Sequence, residues 1–380
     1  MNAATALAPS ATPDTPAALA PGHVRNIARY VPGKPIEELA RELGLDEASI
    51  VKLASNENPR GPSAAVRAAI ARMTDELCRY PDGNGFDLKQ ALAMRYGVPP
   101  EQIVLGNGSN DVLELVAQAF LLPGMRTVYA RHAFIVYPLA TQARGAIGIE
   151  VPPTSDLGHD LPAMRAAITA DTRIVFVANP NNPTGTWLHP DALTAFLESV
   201  PAHVLVVLDE AYNEYLEPEQ HAPSIAWLAR HPNLIVSRTF SKAYGLAALR
   251  VGYGIMHPDV ADILNRVRQP FNVNALAQAA AVAALADATY VAESRAINRA
   301  GMQTLEEGFA ALGLSWTPSH ANFVLVRVGD AARVYQSLLG QGVIVRPVGN
   351  YGLPEHLRVT IGLPHENARF LAALEQALGA

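Results

Sequence analysis

The chain has 380 residues, of which 49% are hydrophobic and 17% charged, enough to bury a large core and to build two or three domains, so a disordered protein is excluded. Its net charge of -6 is spread without long runs and leaves no polybasic stripe for a phosphodiester backbone, so nucleic-acid binding is not expected. The single cysteine, Cys78, rules out an intrachain disulfide and a cysteine-rich zinc site, and it fits a reducing cytosol.

Residues 1–22 are rich in Ala, Pro and Thr, with no basic start and no continuous apolar run. They read as a disordered leader and not as a signal peptide, so a cytoplasmic location is expected. Residues 23–50 read as an arm packing on a smaller domain. Within it Ile36, Leu39, Ala40 and Leu43 share one helical face, and Gly44 is a C-terminal stop. A short apolar run, 50–54, follows. Gly61-Pro62-Ser63 then opens a second helix, and Tyr80-Pro81-Asp82-Gly83 reads as an exposed turn.

From Ile103 the pattern becomes strand, loop, helix. Ile103-Val104-Leu105 runs into Gly106-Asn107-Gly108-Ser109-Asn110-Asp111, and Val112, Leu113, Leu115, Val116, Ala119 and Phe120 mark the helix. Consecutive N–H groups at a helix start suit an anion such as a phosphate. The loop is not a dinucleotide fingerprint, because Asp111 stands where the third glycine belongs, and it lacks the Lys-Ser/Thr of a P-loop.

Three further apolar runs, Ile174–Ala178, Val204–Leu208 and Leu234–Val236, are separated by helical stretches such as Asp191–Val200. This spacing predicts an α/β fold with a mostly parallel sheet. Ligands of such sheets sit at the carboxyl ends of the strands, so the polar residues after each run are the site candidates. They are Asn179-Pro180-Asn181-Asn182-Pro183-Thr184-Gly185, then Asp209-Glu210-Ala211-Tyr212, then Ser237-Arg238-Thr239-Phe240-Ser241-Lys242 with Arg250 beyond. A carboxylate closing an apolar run is costly to bury unpaired, so Asp209 needs a cationic ligand or a distant arginine.

A lysine, a carboxylate with a tyrosine, an amide and a phosphate cradle together suit pyridoxal 5'-phosphate, PLP. This cofactor needs a Schiff-base lysine and a carboxylate that keeps its pyridine nitrogen protonated. No metal is expected. The last third of the chain reads as long helices over 275–312, strands at Asn322–Val328 and Val343–Val345, and a closing amphipathic helix, Glu366–Leu378. Ala275–Ala286 is too short to span a bilayer and reads as a buried helix. Arg346 and Arg358 stand out there.

Asn-Pro-x-Asn-Pro-Thr-Gly, Asp-Glu-Ala-Tyr and Ser-x-x-x-Ser-Lys-x-x-Gly-Leu-x-x-x-Arg-x-Gly-Tyr, in this order, resemble the fold-type I PLP-dependent aminotransferases. Within that group the chain is similar to the histidinol-phosphate aminotransferases from about Tyr30 onward. The resemblance implies a large PLP-binding domain over 51–272, with a mostly parallel central sheet flanked by helices, and a smaller α/β domain over 273–380. It implies that Lys242 forms the Schiff base and moves the proton, that Asp209 pairs the pyridinium, and that Asn182 and Tyr212 hold the phenolic oxygen. Ser241, Arg250 and backbone N–H groups of Gly108, Ser109 and Asn110 would bind the cofactor phosphate, with Thr239 in the same loop. Phe134 matches the aromatic that stacks on the cofactor ring. The family often has Ser-Asp-Glu at 109–111 and Tyr at 134, where this chain has Ser-Asn-Asp and Phe.

The resemblance further implies a homodimer with shared sites, in which Tyr80 reaches the other subunit's cofactor phosphate. Arg358 would grip the α-carboxylate of glutamate, Arg346 the phosphate of histidinol phosphate, and Asn56, Tyr30 and Tyr351 would line the substrate pocket. The implied partners are therefore small molecules, histidinol phosphate and 2-oxoglutarate or glutamate, with neither nucleic acid nor membrane. An aromatic amino-acid aminotransferase and, more distantly, a decarboxylase of threonine phosphate share most of these residues and stand as alternatives.

Overall fold

The computed structural model describes residues 15–30 and 32–379. The leader expected over 1–22 lies outside the described residues as far as residue 14, and Pro16–Leu19 forms a short 3-10 turn. The helix Ile36–Leu43 forms as expected, closed by Gly44 in the left-handed conformation. Leu39 and Ala40 pack there against Leu339 and Ile344, which ties the arm to the C-terminal part.

The first strand, β1 (Val51–Lys52), is followed by the helix Ala64–Met73, whose N-cap Ser63 accepts from the Val66 N–H. The main sheet then comprises β2 (Ile103–Gly106), β3 (Arg126–Ala130), β4 (Ile147–Val151), β5 (Thr172–Ala178), β6 (Leu205–Asp209), β7 (Leu234–Thr239) and β8 (Gly252–Met256). Their spatial order is β2-β8-β7-β6-β5-β3-β4. Neighbours from β7 to β4 are parallel, and β8 runs antiparallel to both β2 and β7.

The central strands are apolar on both faces, as a sheet covered by helices on two sides requires. Three strands of this sheet escaped the sequence pattern. β8 is glycine-rich, and β4 is an edge strand with a mixed, partly exposed pattern. β3 carries Arg126 and Thr127 in a run only five residues long. Because β8 reverses twice, β2 runs parallel to β7, and the carboxyl ends of β2, β3, β5, β6 and β7 open on one edge.

The C-terminal part contains β9 (Ser315–Thr317), β10 (Phe323–Arg327), β11 (Val343–Ile344), β12 (Arg346–Pro347) and β13 (His356–Thr360). Four of these form an antiparallel sheet in the order β12-β13-β10-β9, and β11 pairs in parallel with β1. The helical stretch at 275–312 is two helices, Ala275–Ala286 and Ala288–Ala311, bent by 80° at Asp287, whose side chain caps the second. The domain boundary expected at 272/273 falls ahead of the first of these, yet its Ala277, Ala280, Ala281 and Ala284 pack into the core beneath the main sheet. The antiparallel sheet has a separate core, formed by Leu305, Phe309, Val324, Val326, Leu357, Val359 and Phe370. Among the described residues no single helix is long and apolar enough to cross a membrane.

Candidate active site

The strand ends of the main sheet and the antiparallel sheet enclose a cleft of about 980 Å³, counted to its open mouth. Fifteen of the expected site residues line it: Tyr30, Asn56, Ser109, Asn110, Phe134, Asn182, Asp209, Tyr212, Thr239, Ser241, Lys242, Arg250, Arg346, Tyr351 and Arg358. They come from eleven separate stretches of chain: five follow strands that end on the same edge of the main sheet, and the others include the arm, the segment after β1, and β12 and β13 of the antiparallel sheet.

Lys242 lies just past β7, and its Nζ donates to the Ser55 carbonyl at 3.0 Å. Burial, then the nearby Arg358 guanidinium, pull its amine down to about 7, so a sizeable fraction is unprotonated at neutral pH. Asp209 ends β6 and is 5% exposed. Burial raises its carboxyl to about 6, against the hydrogen bond it accepts from the Tyr137 hydroxyl. The Tyr137 bond is 2.9 Å, to Oδ2. Oδ1 is buried without a hydrogen-bond partner among the described residues.

Of the two answers left open for Asp209, the structure disfavours the distant arginine. Arg238 is spent on Glu210, with Nε and Nη2 at 2.9 and 2.6 Å from Oε2. Arg358 donates to Asn182 Oδ1 at 2.6 Å and to the Ala54 carbonyl at 2.7 Å. An orphaned carboxylate oxygen on a cleft wall is the feature that a protonated pyridine nitrogen would complete.

The phosphate cradle is built by close approach. Gly108 has φ 81°, and a Cβ there would collide with the Arg250 guanidinium. Gly252 on β8 would likewise drive a Cβ into the Ser109 amide, so glycine lets this strand pass directly under the start of the helix Ser109–Phe120. Arg250 itself sits at φ 56°, and its Nη1 bonds Ser241 Oγ at 3.3 Å and the Ala247 carbonyl at 3.0 Å. Free helix N–H groups, a hydroxyl and a guanidinium thus converge, which is the chemistry a phosphate dianion requires. These residues fit pyridoxal phosphate. Among the described residues, no three His, Cys, Asp or Glu side chains are grouped to hold a metal.

Phe134 packs edge-on against Tyr137, with ring centroids 5.9 Å apart. The Asn179-Gly185 turn contains two cis peptide bonds, Asn179-Pro180 and Asn182-Pro183. Asn182 accepts from Arg358 through its oxygen, which leaves its NH2 group as a donor. Burial raises the Tyr212 phenol to about 12, so it stays protonated. Arg358 is 7% exposed and lies over the Phe323 ring, with Cζ 5.3 Å from the centroid. Arg346 lies over Tyr30 at 5.8 Å.

Two expected residues stand apart. Gly108 shapes the cradle from behind Arg250. Tyr80 is outside the cleft, 83% exposed and stacked on Phe271 with centroids 4.8 Å apart. Sequence reasoning missed Tyr137, whose spacing along the helix Val136–Ala143 marks it as core, and Ser55, which contributes only its carbonyl. It also missed Glu210 as the partner of Arg238, although both sit one position from an expected site residue.

Residues 48–374 match the family model described as aminotransferase class I and II. The chain is 64% identical to histidinol-phosphate aminotransferase 2 of Pseudomonas fluorescens (strain Pf0-1) over 95% of its own length and 98% of that protein. It is 63% identical to histidinol-phosphate aminotransferase 2 of Ralstonia nicotianae, covering 94% of this chain and 96% of the relative. Its fold matches the crystal structure of histidinol-phosphate aminotransferase from Sinorhizobium meliloti in complex with pyridoxal-5'-phosphate, with a TM-score of 0.87 and 29% identity over 97% of this chain and 99% of that one. The chain belongs to the class I and II aminotransferases.

Proposed function

We propose that this chain transfers the amino group of L-histidinol phosphate to 2-oxoglutarate, giving imidazole acetol phosphate and L-glutamate in two half-reactions, the aminotransfer step of histidine biosynthesis. The observation that carries this reading is the meeting of Lys242 and Asp209 with two guanidinium groups, Arg346 and Arg358, in one cleft. The near-full-length similarity to named histidinol-phosphate aminotransferases supports it.

Bound pyridoxal phosphate supplies a protonated ring that withdraws electrons from the substrate's α-carbon. Asp209 Oδ1 would hold the ring nitrogen's proton, with the Tyr137 hydroxyl bonded to Oδ2. Asn182 and Tyr212 would donate to the phenolic oxygen, and Phe134 would cover a ring face. The N–H groups at Gly108, Ser109 and Asn110 would hold the phosphate with Ser241, Arg250 and the Thr239 loop. Lys242 would hold the cofactor covalently and serve as the base for the α-proton; an amine with a pKa near 7 suits both giving and accepting.

Arg358 is buried, and the N–H groups it does not spend on Asn182 and Ala54 would meet the α-carboxylate of glutamate. Arg346, with Tyr30 and Tyr351, would meet the substrate phosphate. The enzyme acts as a homodimer in the cytoplasm, with Tyr80 of one protomer completing its partner's phosphate site; exposed Leu77, Tyr80, Phe86 and Met94 cluster on the segment that would form the contact. It takes small molecules, with no nucleic-acid or membrane partner.

Mixing the yellow holoenzyme with L-histidinol phosphate alone tests cofactor, donor and half-reaction together. Conversion to the pyridoxamine form is expected, and an unchanged spectrum refutes the reading. Steady-state preference for phenylalanine or tyrosine as donor would assign the chain to the aromatic aminotransferases instead.

A further inference from the structure

Asn56 is 1% exposed and has φ 55°, a left-handed backbone in a residue that is not glycine. Single residues adopt this conformation at a cost, and they keep it where the surroundings over-determine it. Here they do. The Asn56 N–H donates to Thr360 Oγ1 at 2.9 Å, the Thr360 hydroxyl donates to Asn56 Oδ1 at 3.2 Å, and Asn322 Nδ2 donates to the Asn56 carbonyl at 3.0 Å. Its remaining group, Nδ2, donates to the Tyr212 hydroxyl at 2.9 Å. Both heavy atoms of the side-chain amide are therefore engaged by protein.

We propose that Asn56 is a positioning residue: its amide fixes the direction of the Tyr212 hydroxyl proton, and its left-handed turn aims the two preceding carbonyls at Arg358 and Lys242. The geometry is local. Ala54 accepts from Arg358 Nη2 and Ser55 accepts from Lys242 Nζ, so three consecutive residues touch the three groups that line up on the cleft. The segment is rigid because Leu53 bridges both small sheets, its N–H bonding Ile344 and its carbonyl accepting from Thr360.

The bond to Tyr212 has a defined polarity. An amide NH2 can only donate, so the phenol oxygen accepts from Asn56, and its own proton is left for a partner in the cleft. The charged or titratable groups around the phenol are Arg358, Asp209, Tyr351 and Lys242. On the function proposed above, the partner is the cofactor's phenolic oxygen, and the inference rests on that reading. Asn56 then acts on the cofactor through Tyr212 and does not bind substrate directly.

The test compares holoenzyme of the parent with Asn56→Gly, Asn56→Asp, Tyr212→Phe and the Asn56→Gly/Tyr212→Phe double variant. Glycine keeps the left-handed backbone and deletes the amide; aspartate keeps the shape but accepts the phenol proton and so reverses the bond. Readouts are the pH at which the bound cofactor's visible absorbance changes, the cofactor dissociation constant, and kcat and KM for the amino donor. Both Asn56 variants are expected to move the absorbance pH in the same direction as Tyr212→Phe. Cofactor binding should weaken on the order of tenfold, as for one lost hydrogen bond, and the double variant should be no worse than Tyr212→Phe. A raised donor KM with parental absorbance pH and cofactor affinity overturns the proposal, as does full additivity in the double variant. If the glycine variant does not fold, the near-isosteric aspartate variant carries the comparison. A parent that is yellow but inactive with histidinol phosphate counts against the substrate reading alone, since the Asn56 comparison is read from the absorbance.

Discussion

Tyr137→Phe removes one oxygen from the site and little else. The ring is fully buried and stacked on Phe176 with centroids 4.6 Å apart, and this stacking survives the change. What is lost is the 2.9 Å hydrogen bond to Asp209 Oδ2. A hydrogen bond to a charged group contributes about 2 kcal/mol, which corresponds to a rise of Asp209 from about 6 to roughly 7.5. The sign follows from the bond favouring the ionised carboxylate, so its loss favours the neutral acid. Only the carboxylate can pair with a protonated ring nitrogen. With those two values the apparent cofactor dissociation constant should rise about fourfold at pH 7, more than tenfold at pH 6, and hardly at all at pH 9. Lys242 titrates in the same range and its amine is raised by the ionised Asp209, so the comparison is anchored at pH 9, where Asp209 is ionised in both proteins. The assay is titration of apo protein with pyridoxal phosphate across that pH range, parent against variant. A ratio that stays at one throughout, or that is independent of pH, would refute the assignment of Tyr137 as the group that keeps Asp209 ionised.

Lys242→Ala should abolish both the yellow absorbance of the covalently held cofactor and transamination, as spectra and turnover would show. Gly108→Ala should weaken cofactor retention more than tenfold, because a Cβ at φ 81° is strained and displaces Arg250; measurable affinity at the parental level would contradict the cradle. Arg238→Ala leaves Glu210 buried without its partner, and thermal or denaturant unfolding should show a loss of about 3–5 kcal/mol. Arg358→Lys keeps the charge but loses the fork that spans Asn182 and Ala54, so KM for glutamate should rise far more than the cofactor dissociation constant.

Much of the site was legible because strand ends in a parallel sheet are positions of chemistry. Asp209 and Lys242 each follow an apolar run, and the Asn179–Gly185 turn follows a third, so their types could be read off in order and combined into one cofactor's requirements. The glycine loop at 106–108 could be read in the same way, since the backbone freedom it needs is a property of residue type. The missed partners have a common cause. Tyr137 looks like any aromatic on the buried face of a helix, and only the tertiary fold brings its hydroxyl to Asp209. Asn56 precedes Tyr212 by 156 positions, and nothing in either residue's neighbourhood announces the other. Glycine-rich β8 has the composition of a loop, yet it is a strand because glycine is what allows close passage under Ser109.

The sequence by itself determined the fold class, the cofactor chemistry and the identity of most cleft residues, since these follow from hydrophobic period, turn chemistry and the functional groups present. Tertiary structure decided how each group is tuned. Burial brings Lys242 to about 7 and Asp209 to about 6, and long-range hydrogen bonds fix where the Tyr212 proton and the Asp209 oxygens point. Desolvation and hydrogen-bond direction depend on what lies within a few ångströms in space, and residues far apart in the chain supply it.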